Sequence, residues 1–182
     1  MAKIPEDVLI IDPVKWGTFV NARQFKRISG ITFTPQKRIT YKIPQYNLRG
    51  LTYFKEPYDC NTKVKVTKGN VFCVAVDIRP TSSSYGKYIS CVLGDRAKRI
   101  MYIPKGFARG IYAFEDSTVV MEHDADVDET QKDGIAYDDM DLRIKWTNTS
   151  FYFPPKIFLH IDESSQNYQS FKEYKKKVKN LN

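Results

Sequence analysis

The sequence predicts an all-β fold, a sandwich or barrel of many short strands with a short C-terminal helix. Three observations carry this. Aromatic residues make up 14% of the 182-residue chain and β-branched residues are frequent, a composition suited to pleated, half-buried surfaces. Short apolar or alternating runs recur at close spacing, each bounded by turn residues. Helical spacing of apolar residues is confined to the C-terminus.

Taken in order, Arg38–Ile43 alternates, with Ile39, Tyr41 and Ile43 on one face, and reads as a half-buried strand. LRGLTYF, residues 48–54, places an arginine and a glycine before a short apolar run, with Thr52 inside it. Lys63–Thr67 follows. Asn70–Ile78, NVFCVAVDI, is apolar on both faces and reads as a central strand covered on two sides. Further strands are expected at Lys87–Leu93, Ile100–Ile103, Gly110–Phe114 and Ser117–Glu122. Lys68-Gly69-Asn70, Arg79-Pro80-Thr81, Gly94-Asp95, Pro104-Lys105-Gly106 and Glu115-Asp116 punctuate them. Tyr168, Phe171, Tyr174, Val178 and Leu181 fall three or four apart with lysines between, which predicts the helix. There is no internal repeat, linker or low-complexity segment, so residues 1–182 read as one domain.

Composition narrows the function. The net charge of +8 suits an anionic partner, although the KEYKKKVKN tail carries much of the excess. The chain shows neither a recognition helix nor the aromatic-basic spacing of an RNA-binding sheet, so nucleic acid is not the expected partner. No stretch approaches the about 20 apolar residues that span a bilayer, and the opening run is too short for a signal-peptide core. A cytoplasmic protein without membrane contact is expected. Cys60, Cys73 and Cys91 form neither a disulfide framework nor a metal pair. The two histidines, His123 and His160, are far apart, so no metal site is expected. No glycine-rich phosphate loop precedes a helix and no cofactor is implied. What remains is cations at strand ends, Arg49 and Lys63. If those strands pair, the two sit at one barrel mouth and suit a diphosphate; the alternative is a solvated strand end.

The order LRGLTYF, KVKVTKGNVFCVAVDIRPTSSSYGKY, YIPKGFARGIYAF, GIAYDDMDLRIKW resembles the dTDP-4-dehydrorhamnose 3,5-epimerase family over Leu48 to Trp146. Trp16-Gly17-Thr18-Phe19 stands where the family has an Arg-Gly-Phe turn, and IDESSQNYQSF resembles the family's ending. The resemblance implies a cupin-type jelly-roll barrel with a short C-terminal helix, dimerising by exchange of N-terminal strands within about residues 1–45. The barrel would span about 46–150 and a C-terminal segment 151–182. It implies a nucleotide-diphosphate-linked 4-keto sugar as ligand. A base removes a proton next to the keto group, an enolate forms, and an acid returns the proton from the opposite face.

Carried over position by position, Arg49 matches the arginine that holds the diphosphate. Lys63 matches the lysine beside the sugar, and Asp139 the aspartate that orients the catalytic histidine. Three departures accompany these. The base histidine is Thr52 and the following glutamine is Phe54. Arg109 replaces the histidine of Ala-His-Gly. The catalytic tyrosine falls on or within one residue of Glu122, and the base-stacking aromatic near Val127. Two readings follow. In one, Glu122 sits in an apolar barrel with a raised pKa, and an altered one-base reaction proceeds with help from Lys63 and either Asp139 or His123. In the other, Glu122 pairs with Arg109 and the barrel binds an anion without chemistry.

Overall fold

The computed structural model describes residues 5–146 and 159–179. Eleven strands and two helices are defined: β1 Leu9–Ile11, α1 Ala22–Ser29, β2 Lys37–Ile43, β3 Asn47–Phe54, β4 Thr62–Lys68, β5 Asn70–Asp77, β6 Tyr88–Gly94, β7 Ile100–Ile103, β8 Phe107–Ala113, β9 Ser117–His123, β10 Lys132–Gly134, β11 His160–Ile161 and α2 Phe171–Lys179. Two sheets face one another, in the orders β1-β7-β4-β9-β2 and β10-β3-β8-β5-β6, with β11 alongside β3. All pairs are antiparallel except β11 with β3.

The double-sided apolar run of β5 is explained by two cores. Val71, Cys73 and Ala75 face the first sheet and meet Val64, Val66, Val119 and Met121. Phe72, Val74 and Val76 point the other way, onto Trp146, Phe171 and Tyr174. The helix α2 therefore covers the outer face of the second sheet through Phe171 and Tyr174, as its periodicity predicts. Leu181, the last residue of that pattern, lies outside the described residues.

Two features differ from the sequence reading. Residues 22–29 form α1, a helix that the pattern of apolar residues does not announce, because it buries one side chain, Phe25. Local chemistry holds it: Asn21 and Gln24 form a reciprocal capping box, and Gly30 ends it at φ 74°. Burying Phe25 contributes about 1.5–3 kcal/mol, which anchors α1 on the outer face of the first sheet beside Phe33 and Tyr102. The strands carrying Arg49 and Lys63 also do not pair: β3 and β4 lie in opposite sheets.

Candidate functional site

Arg49, Thr52 and Arg109 share the inner face of the second sheet. On β3 an irregularity at Gly50 interrupts the alternation, so Leu48 and Leu51 both enter the α2-side core while Arg49 and Thr52 both point into the sandwich. Arg49 stands opposite Ile111, and Thr52 opposite Arg109, with an irregularity between them. Gly50 occupies that irregularity at φ 112°, and a Cβ there would stand 2.5 Å from the Arg109 carbonyl oxygen. The glycine of LRGLTYF thus lets β3 and β8 approach closely enough to bring the three side chains together.

They open into a cavity of about 340 Å³, closed on the other side by Tyr41, Ile43 and Met121 of the first sheet. Glu129 and Lys132 form one rim, and Ser164 and Tyr168 the other. Tyr168 is seated against Gly134, whose missing side chain leaves room for its ring. Ser165, next to Ser164, accepts a hydrogen bond from the Gly50 amide at 2.9 Å and ties the C-terminal segment to β3.

Three cations face this space against one carboxylate on its lining. The Arg49 guanidinium lies 4.4 Å over the Tyr41 ring and is ion-paired with the Asp162 carboxylate at 3.6 Å, longer than a direct hydrogen bond. The Tyr41 hydroxyl donates to Glu129 at 2.5 Å and accepts from the Lys132 ammonium at 2.7 Å. Lys132 also pairs with Glu129. Burial, with the Glu129 hydrogen bond and charge, pushes the Tyr41 phenol well above its usual range. Burial lowers Lys132 despite Glu129. Burial raises Glu129, but Lys132 and Tyr41 outweigh it and hold the carboxyl below its ordinary value. Arg109 is fully buried and desolvation lowers its pKa. Its guanidinium lies 4.9 Å over the Phe54 ring.

Several expected site residues stand elsewhere. Lys63 and Glu122 are on the outer face of the first sheet, because Val64, Met121 and their alternate neighbours take the inner positions. Glu122 accepts from Lys65 at 2.7 Å and Arg38 at 2.8 Å and lies 3.3 Å from Lys63. Its partners are therefore these three cations and not Arg109. Burial alone would raise Glu122, but Lys65, Lys63 and Arg38 outweigh it and lower its pKa. Lys63 lies over the Phe25 and Phe33 rings at 5.1 and 4.4 Å. The inward neighbour of Lys63 is Thr62, whose hydroxyl is 3.0 Å from His123 Nδ1.

Asp139 is likewise outside the cavity. Its carboxylate accepts from the amides of Asp141 and Phe171 at 2.9 and 2.8 Å, closing a turn and capping α2. Phe54 is buried and acts as a floor beneath Arg109, in edge contact with His123 at 5.5 Å, rather than as a cavity wall. Val127 packs on Phe54 and Cys60. His123 is buried, and desolvation with the charges of Arg109 and Lys132 depresses it to about 3, so its ring is neutral. Among the described residues no group of three His, Cys, Asp or Glu is placed to hold a metal.

Tyr41, Glu129, Lys132, Ser164 and Tyr168 were not identified from the sequence. Tyr41 had a signal, a polar-tipped ring on the half-buried face of β2. The serine and tyrosine of IDESSQNYQSF had one in the resemblance of that tail. Glu129 and Lys132 sit on a short 3₁₀ turn and its exit, where no periodicity marks a direction.

The family model of dTDP-4-dehydrorhamnose 3,5-epimerase matches residues 15–173. The dTDP-4-dehydrorhamnose 3,5-epimerase of Escherichia coli is 33% identical over 153 residues, covering 80% of this chain and 83% of that one. The Shigella flexneri protein of the same name is 38% identical over 148 residues, covering 77% and 82%. Among solved structures, the Elizabethkingia anophelis dTDP-4-dehydrorhamnose 3,5-epimerase superposes with a TM-score of 0.81 at 26% identity, covering 94% and 95% of the two chains. The Legionella pneumophila dTDP-6-deoxy-D-glucose-3,5-epimerase, solved in complex with dTDP-4-keto-L-rhamnose, gives 0.78 at 25%, covering 91% and 88%. The two-sheet sandwich is thus the jelly roll of these enzymes, and the chain belongs to the dTDP-4-dehydrorhamnose 3,5-epimerase family.

Proposed function

We propose that the cavity binds a nucleotide-diphosphate-linked sugar and that the usual double epimerisation is lost or strongly weakened. One observation carries this: Arg49, Arg109 and Lys132 converge on a cavity that Thr52 lines, the residue that the family resemblance aligns with the base. The three cations suit a diphosphate sugar, with the Arg49 fork on the phosphates. A threonine hydroxyl does not ionise near neutral pH and removes no proton from carbon. A positioned base contributes about 10²–10⁴-fold, and neither His123, buried behind Phe54, nor Asp139 is placed to substitute. Titration with dTDP tests binding: wild type is expected to bind and Arg49→Gln to bind weakly. Failure of wild type to bind any nucleotide diphosphate would overturn the reading.

A second reading has its own observation. Tyr41, Lys132 and Glu129 form a hydrogen-bonded chain on the wall facing Thr52, able to pass a proton on one face of a bound sugar. This supports an altered, single-face reaction such as mono-epimerisation or keto-isomerisation. It predicts slow exchange of solvent deuterium into a 4-keto sugar nucleotide, abolished in Tyr41→Phe. No exchange above the enzyme-free rate would leave the binding reading alone.

A homodimer and a reducing, cytoplasmic setting complete the proposal. Val14 and Trp16 of the N-terminal segment are 51% and 84% exposed, an apolar surface suited to a second copy. Cys60, Cys73 and Cys91 are free thiols, and no helix among the described residues is long and apolar enough to cross a membrane. Light scattering at micromolar concentration should give twice the 21.2 kDa chain mass; a monomer mass would contradict the dimer.

A further inference from the structure

The barrel buries an arginine and, among the described residues, gives it no ion-paired carboxylate. Arg109 is 3% exposed, and its Nη2 is buried with no hydrogen-bond partner among the described residues. Asp59, whose charge reaches it, is engaged by the Gly106 amide at 2.6 Å, and Glu122 faces the opposite side of its sheet. Buried charges are ordinarily paired, because desolvation penalises an isolated one. Stacking on Phe54 occupies one face of the guanidinium and leaves its N–H edge available toward the cavity.

The position of this edge relative to Arg49 restricts the ligand. Arg49 stands opposite Ile111 and Thr52 opposite Arg109, so on β8 the two cations are served by positions two residues apart. That separates them by roughly 7 Å along the strands, about the width of one pyranose ring. A diphosphate held at Arg49 would therefore bring the far edge of its sugar to Arg109. A neutral deoxysugar leaves that guanidinium unpaired in the complex as well.

We propose that Arg109 is a specificity-determining residue that receives a carboxylate carried on the sugar ring, so that the ligand is a nucleotide-diphosphate-linked uronic acid. This rests on the nucleotide-sugar reading of the cavity. A planar carboxylate fits the planar guanidinium fork, and the Thr52 hydroxyl opposite can supply another donor. A tetrahedral sulfate or phosphate would turn its remaining oxygens toward Ile111 and Met121, which offer no donor.

The test is calorimetric titration of the full-length protein at fixed ionic strength with dTDP, dTDP-glucose and dTDP-glucuronate, repeated with the UDP-linked pair. The acid is expected to bind at least about 10-fold tighter than the neutral sugar on the same nucleotide, as a charge-assisted contact implies. In Arg109→Gln and Arg109→Met that ratio should fall to about one. Binding of dTDP and dTDP-glucose without preference for the acid would overturn the inference and leave the nucleotide-sugar reading standing. Absence of binding by every nucleotide would overturn that reading itself, and this inference with it. A preference that survives in both Arg109 variants would put the carboxylate elsewhere and also overturn it. The wild-type comparison decides the question even where a variant does not fold.

Discussion

Replacing Glu122 by glutamine removes one carboxylate from among three cations. The Glu122 side chain is 5% exposed, and those of Lys63, Lys65 and Arg38 are 12%, 22% and 63% exposed. The Arg38 contact is largely solvated and contributes little. Lys63 and Lys65 are mostly buried, and Lys63 is held over two phenylalanine rings. Losing one partner of a buried pair costs about 3–5 kcal/mol because the remaining charge stays desolvated; with Lys65 able to relax toward solvent, about 3 kcal/mol is expected here. For a chain of this size that lowers Tm by roughly 6–12 °C. Differential scanning calorimetry and urea unfolding measure it. The double variant Lys63→Met with Glu122→Gln should recover more than half of the loss, since an apolar chain fits between Phe25 and Phe33. The pH dependence has a definite sign. The folded carboxyl titrates below the ordinary value of 4.5, so its stabilisation is complete above that pH and is lost as pH falls toward the folded-state pKa. Because Glu122 faces away from the cavity, dTDP affinity should not change in the folded variant. A Tm within 1 °C of wild type would refute the energetic argument; lost nucleotide binding with intact stability would refute the placement.

Other outcomes follow from the same geometry. Arg109→Met should stabilise the ligand-free protein by about 1–2 kcal/mol, since an unpaired buried charge is exchanged for an apolar chain of similar length; a fall in Tm would show that Arg109 is paired in the fold. Arg49→Gln should weaken dTDP binding about 10–100-fold, the worth of a charge-assisted pair, and calorimetry reads it directly. Thr52→His should raise epimerisation by less than about 100-fold, the low end for a positioned base, because Asp139, the carboxylate expected to orient the imidazole, is held by the amides of Asp141 and Phe171. Asp139→Asn should not alter that gain but should lower stability by about 1 kcal/mol through the lost cap on α2.

What could be read from the sequence, and what could not, follows from which interactions have a period. The strands of β2, β5 and β7 were legible to within a residue or two because alternating or doubly apolar runs bury on definite faces. Their order across the two sheets was not, so Arg49 and Lys63 were expected at one mouth. Lys63 and Glu122 each stand one residue from an inward-facing position, and in a strand one residue reverses the face. Arg49, Thr52 and Arg109 share the inward face because of the glycine at position 50 and the register of β3 with β8. Asp139 stands outside the cavity for another reason: a carboxylate beside a turn serves the amides at a helix start as readily as a catalytic partner. The helix α1 rests on a capping box and one phenylalanine, too little apolar surface to give a helical pattern.

The most direct test of the account is proton NMR in D₂O of a dTDP-linked 4-keto sugar, the ligand class that the family resemblance implies, mixed with the purified protein. The account predicts broadened nucleotide resonances from binding, relieved in Arg49→Gln, with no doubly epimerised sugar and no combined loss of the C3 and C5 proton signals to deuterium at ordinary enzyme rates. Rapid appearance of the double epimer, deuterated at both carbons, would contradict it and return a competent base to the face that Thr52 occupies.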